Sequence, residues 1–153
     1  MTLTQPTLNP ALATWLNDNG YASEALNQPG ENGDSALMKL TRAGHLDWMQ
    51  ELLTVGVDVN CRNRDGNNAL WFACFGNFHD AIDRLVAAGI NIDNQNDNGA
   101  TALMYAASAG KIEVLQQLLN LGANTTLCNL DDFTALDFAS TPAVWRVLKH
   151  AAK

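Results

Sequence analysis

Cations are scarce in this 153-residue chain: nine lysines and arginines stand against sixteen aspartates and glutamates, giving a net charge of −7 and a pI near 4.6. A nucleic-acid backbone is held by clustered positive charge that displaces counterions, so that class of partner is disfavoured. Cysteine is sparse too. Cys61, Cys74 and Cys128 are odd in number and widely spaced, which suits neither a disulfide framework nor a zinc site and is expected of reduced thiols in the cytoplasm. No apolar run approaches the ~18 residues of a membrane span. The opening MTLTQPTLNP has neither a basic residue nor an apolar core, so no secretory signal is expected. Charged residues reach only 16%, below the ~25% usual in soluble domains. Asparagine fills the gap, with 17 copies. At 47% apolar residues the chain is too hydrophobic for disorder. Its length predicts one domain with a substantial core.

The organising feature is a repeat. Gly33, Gly66 and Gly99 are 33 residues apart, and so are Leu37, Leu70, Leu103 and Leu136. Gly56, Gly89 and Gly122 keep the same period, as do Ala73, Ala106 and Ala139, with Leu40 in the first slot. Each unit opens on an Asx-rich turn, such as Arg64-Asp65-Gly66-Asn67 or Asp97-Asn98-Gly99-Ala100, where glycine supplies a positive φ. Valine at Gly99 should resist that conformation, whereas asparagine should be tolerated. A capping residue follows (Ser35, Asn68, Thr101, Thr134), then a short helix that stops at Gly44, Asn77 or Gly110. A second helix carries one apolar stripe, for example Ile112, Leu115, Leu118 and Leu119.

These motifs resemble the ankyrin repeat family, most clearly in Asp97–Leu103 with Ala106-Ala107 and Gly110, then Leu118–Ala123. The resemblance spans about residues 31–150. It implies an all-α solenoid of stacked helix-turn-helix pairs with projecting hairpin loops. The expected organisation is an N-terminal segment 1–30 with a capping helix at 10–19, repeats at 31–63, 64–96 and 97–129, and a shortened capping repeat at 130–153. Alanine replaces the family's usual turn proline at Ala36, Ala69, Ala102 and Ala135. The usual histidine is Met38, Trp71, Met104 and Asp137. That histidine ties the turn by hydrogen bonds, so these turns are expected to rely more on packing. In the last unit Asp132 stands in the glycine slot, and Thr141-Pro142 starts the outer helix with Val144, Val147 and Leu148 inward. Arg146, Lys149, His150 and Lys153 suit a solvated helix C-terminus.

Catalysis needs converging groups, and none converge in the sequence. His45, His79 and His150 are scattered; His45 reads as structural and His79 as a part-buried, satisfied side chain. Cys74 takes the place of a packed alanine and reads as an inert core thiol. Asp131-Asp132 reads as a solvated turn, and no calcium loop is present. No catalytic residue, metal ligand or cofactor is therefore expected, and the chain is read as a non-enzyme.

Binding surfaces are more legible. The hairpin regions hold Glu31, Asp34, Asp58, Asp65, Asp93, Asp97, Asp131 and Asp132, opposed only by Arg62 and Arg64. Most of the net charge thus falls along one edge, which suits turn chemistry and also the steering of a basic patch. On the inner helices, Phe72, Tyr105 and Phe138 recur in the slot of Lys39, and Arg42, Phe75 and Ser108 recur one turn later. The first set suits either packing between helices or contact with a partner. Phe75 falls in a slot usually exposed on the concave surface. Aromatics and arginine are enriched at interface hot spots. The candidate partner-binding residues are Arg42, Arg64, Asp65, Asn67, Trp71, Phe75, Asp97, Tyr105, Ser108 and Asp131. Trp48 is assigned to convex-side packing. The reading is a cytoplasmic, monomeric protein–protein interaction module, with no nucleic-acid or membrane partner. Its partner is expected to carry a basic or apolar patch. The alternative is a small-molecule or peptide binder that regulates a metabolic enzyme through the aromatic groove.

Overall fold

A computed structural model describes residues 8–151. Lys153, one of the cations assigned to the C-terminal end, lies outside the described residues. The helices are α1 (Pro10–Asp18), α2 (Ala36–Ala43), α3 (Leu46–Val55), α4 (Ala69–Phe75), α5 (His79–Ala87), α6 (Ala102–Ser108), α7 (Ile112–Asn120) and α8 (Pro142–Ala151). Asn9 caps α1 by accepting from the Ala11 N–H, and Pro10 opens the helix. Ser35, Asn68 and Thr101 cap the inner helices α2, α4 and α6 with their side chains. Gly44, Asn77 and Gly110 follow those helices with φ of 75°, 58° and 69°, the left-handed conformation that turns the chain back into the outer helix.

Inner helices stack α2 on α4 on α6, and α6 on a short 3₁₀ turn, Leu136–Phe138. The outer layer places α3 on α5 and α7 on α8. The core lies between the layers, with Leu37, Leu70 and Leu103 from the inner helices meeting Leu52, Leu85 and Leu118 from the outer ones. α1 closes the first end through Leu12 and Leu16, its Trp15 ring 6.2 Å from Trp48. Trp48 also stacks on His45 at 4.8 Å, so both take structural places.

Asparagine explains how the hairpins are held. Asn63, Asn96 and Asn129 each accept two backbone N–H bonds within their own turn, from residues 65 and 67, 98 and 100, and 131 and 133. Two of them also reach back one unit: Asn63 donates to Asp34 at 2.9 Å and Asn96 to Asn67 at 3.0 Å. A backbone ladder runs beside them, with Arg64, Asp97 and Leu130 donating to the carbonyls of Asn32, Asp65 and Asn98. The expectation that these turns rely on packing is therefore corrected. Side-chain amides supply the hydrogen bonds that the missing histidines do not, because an amide can accept within its turn and donate to the neighbouring one.

Further departures are local. His79 is exposed rather than part-buried, and its Nδ1 lies 2.7 Å from Gln117 Oε1 on the next outer helix. The last inner helix shrinks to the 3₁₀ turn, and Thr134 donates to Asp137 instead of capping a helix. Val147 is only half-buried, whereas Val144 and Leu148 are buried.

Candidate functional site

The hairpins and inner helices enclose a groove of about 480 Å³ on the concave side. Its floor is Trp71, Phe72 and Phe75 of α4 with Arg42 of α2. Its wall is the first two hairpins, through Asn32, Asn63, Arg64 and Asp65. α4 turns Leu70, Ala73 and Cys74 into the core, while Trp71, Phe72 and Phe75 line the groove.

Phe75 is 62% exposed, unlike its one-turn neighbour Phe72, which is buried. The Phe75 ring lies 6.3 Å from Tyr105, and Trp71 lies 4.8 Å from Tyr105 on the other side. Lys111 braces this cluster. Its ammonium donates to the carbonyls of Cys74 and Phe75, at 3.2 and 2.7 Å, and to Asn77 Oδ1 at 3.0 Å. It also stands 5.7 Å from the centres of both the Phe75 and Tyr105 rings. Lys111 thereby completes the end of α4 from the following unit. Its position just before an outer helix gave no sequence signal for that reach.

Arg42 lies 4.3 Å over the Phe72 ring and pairs with Asp34 at 3.1 Å. Asp34 itself is only 3% exposed. Counting it among the carboxylates of an acidic edge is corrected: it is a buried, paired group. Asp97 faces Arg62 at 3.9 Å. Asp65 and Asp131 are exposed and make no ion pair among the described residues.

Ten residues were singled out from the sequence, and Arg42, Arg64, Asp65, Asn67, Trp71 and Phe75 line this groove together. Asn67 is buried, and its side-chain carbonyl is taken by Asn96. Tyr105 and Ser108 line a smaller hollow of about 180 Å³ that shares Trp71 and includes Phe138. Asp97 and Asp131 line neither. Asn32 and Asn63 are groove residues that sequence reasoning passed over, because an Asx-rich turn explains them without a partner.

Titration shifts do not mark a reactive centre. Burial pushes the Cys74 thiol up to about 12, only partly opposed by Lys111. Burial also raises Cys61, Tyr21 and Tyr105. A raised thiol is a poorer nucleophile. No group of three or more histidine, cysteine, aspartate or glutamate side chains gathers to hold a metal among the described residues. No helix among them is long and apolar enough to cross a membrane.

Stacked helix pairs, projecting hairpins and a concave groove define a solenoid built for contact rather than chemistry. A family model that describes three successive ankyrin repeats matches the chain twice, over residues 7–96 and 75–152, and the chain belongs to the ankyrin repeat family. The family is non-catalytic, and its general role is protein–protein interaction. The comparison with curated proteins yields no match.

Proposed function

We propose that this chain works in the cytoplasm as an adaptor, inhibitor or assembly factor that holds a partner protein in its concave groove. The observation that carries the reading is Phe75, a large ring 62% exposed on an inner helix. Trp71 and Tyr105 flank it, and Lys111 braces its backbone. Exposing such a ring costs solubility, and a preorganised aromatic cluster is what interface hot spots use. The partner presents an apolar or aromatic centre to Trp71 and Phe75. Basic side chains beside that centre meet Asp65, Asp97 and Asp131 along the hairpins. Arg42 and Arg64 offer hydrogen bonds at the wall nearest the first unit. The three free cysteines fit a reducing compartment. The small-molecule alternative draws no support from buried polar groups awaiting a ligand, since none is unsatisfied among the described residues.

The test is affinity capture from native lysate with the unaltered chain and with Phe75→Ala. A protein retained by the first and lost by the second supports the reading. Equal retention by both moves the contact off the groove and overturns it.

A further inference from the structure

Four large apolar side chains are exposed among the described residues, and three of them belong to the last unit: Leu130 at 74%, Phe133 at 49% and Trp145 at 47%. The repeat register shows why this is unusual. The N–H of the fourth residue of each outer helix bonds to the carbonyl before that helix: Met49 to His45, Ile82 to Phe78, Leu115 to Lys111 and Trp145 to Thr141. Met49, Ile82 and Leu115 are fully buried, whereas on α8 Val144 and Leu148 form the buried stripe and Trp145 is left outside it. Phe133 occupies the slot of Asp34, Asn67 and Ala100, as the N–H bonds of Asn67, Ala100 and Phe133 to the turn asparagines Asn63, Asn96 and Asn129 show for the last three. The polar side chains of Asp34 and Asn67 are covered by the amide of the next hairpin. Leu130 occupies the slot of Arg64 and Asp97. A terminal repeat should turn a polar face outward. This one places a leucine where the inner units place Glu31, Arg64 and Asp97, and a phenylalanine where they place Asp34, Asn67 and Ala100.

A further ankyrin unit cannot cover this face in register. At Gly33, Gly66 and Gly99 a Cβ would lie 3.0, 2.8 and 2.9 Å from the backbone nitrogen of the next hairpin. The stack depends on that close approach. The fourth slot is Asp132, a non-glycine with φ of 65°, whose Cβ fills the space a next hairpin would need.

Charge then selects the occupant. The hairpin side of the last unit carries Asp131 and Asp132, and α8 carries Arg146 and Lys149. None of the four makes an ion pair within the chain among the described residues. A unit that carries an acidic hairpin and a basic outer helix can pair each with the opposite charge of a second copy under a two-fold rotation. We propose that the C-terminal end face binds a second copy of this chain, end to end. The acidic hairpin of each protomer then lies against the basic helix of the other, and Trp145, Phe133 and Leu130 are covered at the centre. This departs from the monomer expected from the sequence.

The test is the mass of the full chain in solution by analytical ultracentrifugation over a range of concentrations. The expected result is a dimer that dissociates on dilution. Trp145→Glu should shift it to single chains with its helical circular dichroism unchanged. Two charge variants make the test independent of that tryptophan. Asp131→Lys with Asp132→Lys, and Arg146→Glu with Lys149→Glu, should each be monomeric alone and should form a heterodimer when mixed. Single chains at every concentration for the unaltered protein overturn the proposal. So does a dimer indifferent to both charge variants, or one lost in Phe75→Ala, which would put the contact in the groove.

Discussion

Asp34 holds Arg42 with one carboxylate oxygen, at 3.1 Å, and accepts from Asn63 Nδ2 with the other, at 2.9 Å. One buried side chain thus fixes both the arginine at the groove wall and the junction between the first two hairpins. Replacing it by alanine leaves an amide donor without its acceptor and a cation without its counter-charge. Asp34→Ala should cost about 1.5–3 kcal/mol, the range for a lost hydrogen bond to a charged group. Asp34→Asn should cost less, because an acceptor for Asn63 survives. Urea unfolding of both variants measures this, and equal losses would show that the carboxylate charge is what counts.

Gly99 and Gly122 separate backbone conformation from crowding. Both have positive φ, 76° and 99°, but a Cβ at Gly99 meets the backbone of Leu130 and Asn129 while one at Gly122 meets nothing. The sequence suggests that asparagine is tolerated at Gly99. The next hairpin forbids that, since its main chain cannot swing aside as a side chain can. Gly99→Asn should therefore destabilise well beyond Gly122→Asn, with Gly99→Val worse still. Thermal melting of the three variants decides it; similar midpoints for the two asparagine variants would refute the close-approach account.

Phe75→Ala should leave folding almost intact. The ring is mostly exposed, and surface substitutions of this kind stay within about 0.5 kcal/mol. Partner affinity should fall by about 1–3 kcal/mol, chiefly through faster dissociation, as for a hot-spot aromatic. Melting temperature together with surface-binding kinetics checks both halves. An early melt with normal binding would place the ring in the core.

Cys74 makes stability fall in alkali. Its thiol is raised from 9.0 to about 12 by burial, so the folded chain keeps a proton that the unfolded chain releases. The associated stability is fully present below pH 9.0 and is lost progressively as pH rises toward about 12. The contribution to the slope approaches about 1.4 kcal/mol per pH unit inside that window. Cys74→Ala should flatten the pH dependence of urea unfolding there. In the same native protein, exposed Cys128 should react with a thiol reagent well before Cys74.

The groove was legible in outline. The 33-residue register put Phe75 and Arg42 one turn beyond the slots of Phe72 and Lys39, and that offset is a property of helix geometry alone. What Arg42 does there was not legible. Its partner Asp34 looks from the sequence like one more acidic turn residue, and its burial comes from a hairpin 29 residues away in the chain. Lys111 was missed for a similar reason, since its three acceptors lie in the preceding unit.

The sequence by itself determined the repeat length, the helix pairs, their caps and their stops, because each rests on local stereochemistry: a positive φ, a capping oxygen, a 3.6-residue stripe. It also placed Asp132 in the glycine slot of the fourth unit, although only the geometry of Gly99 beneath Leu130 gives that substitution its meaning. Tertiary structure alone decided which asparagines join the hairpins, which acid is buried and which apolar side chains are left uncovered. Those outcomes depend on what the neighbouring unit brings to within hydrogen-bond or van der Waals distance, and identical slots in successive repeats differ in that neighbour. Asn67 and Ala100 show the limit: they hold the same slot, yet the first is buried and its side chain accepts from Asn96, while the second has no polar group to offer the hairpin after it.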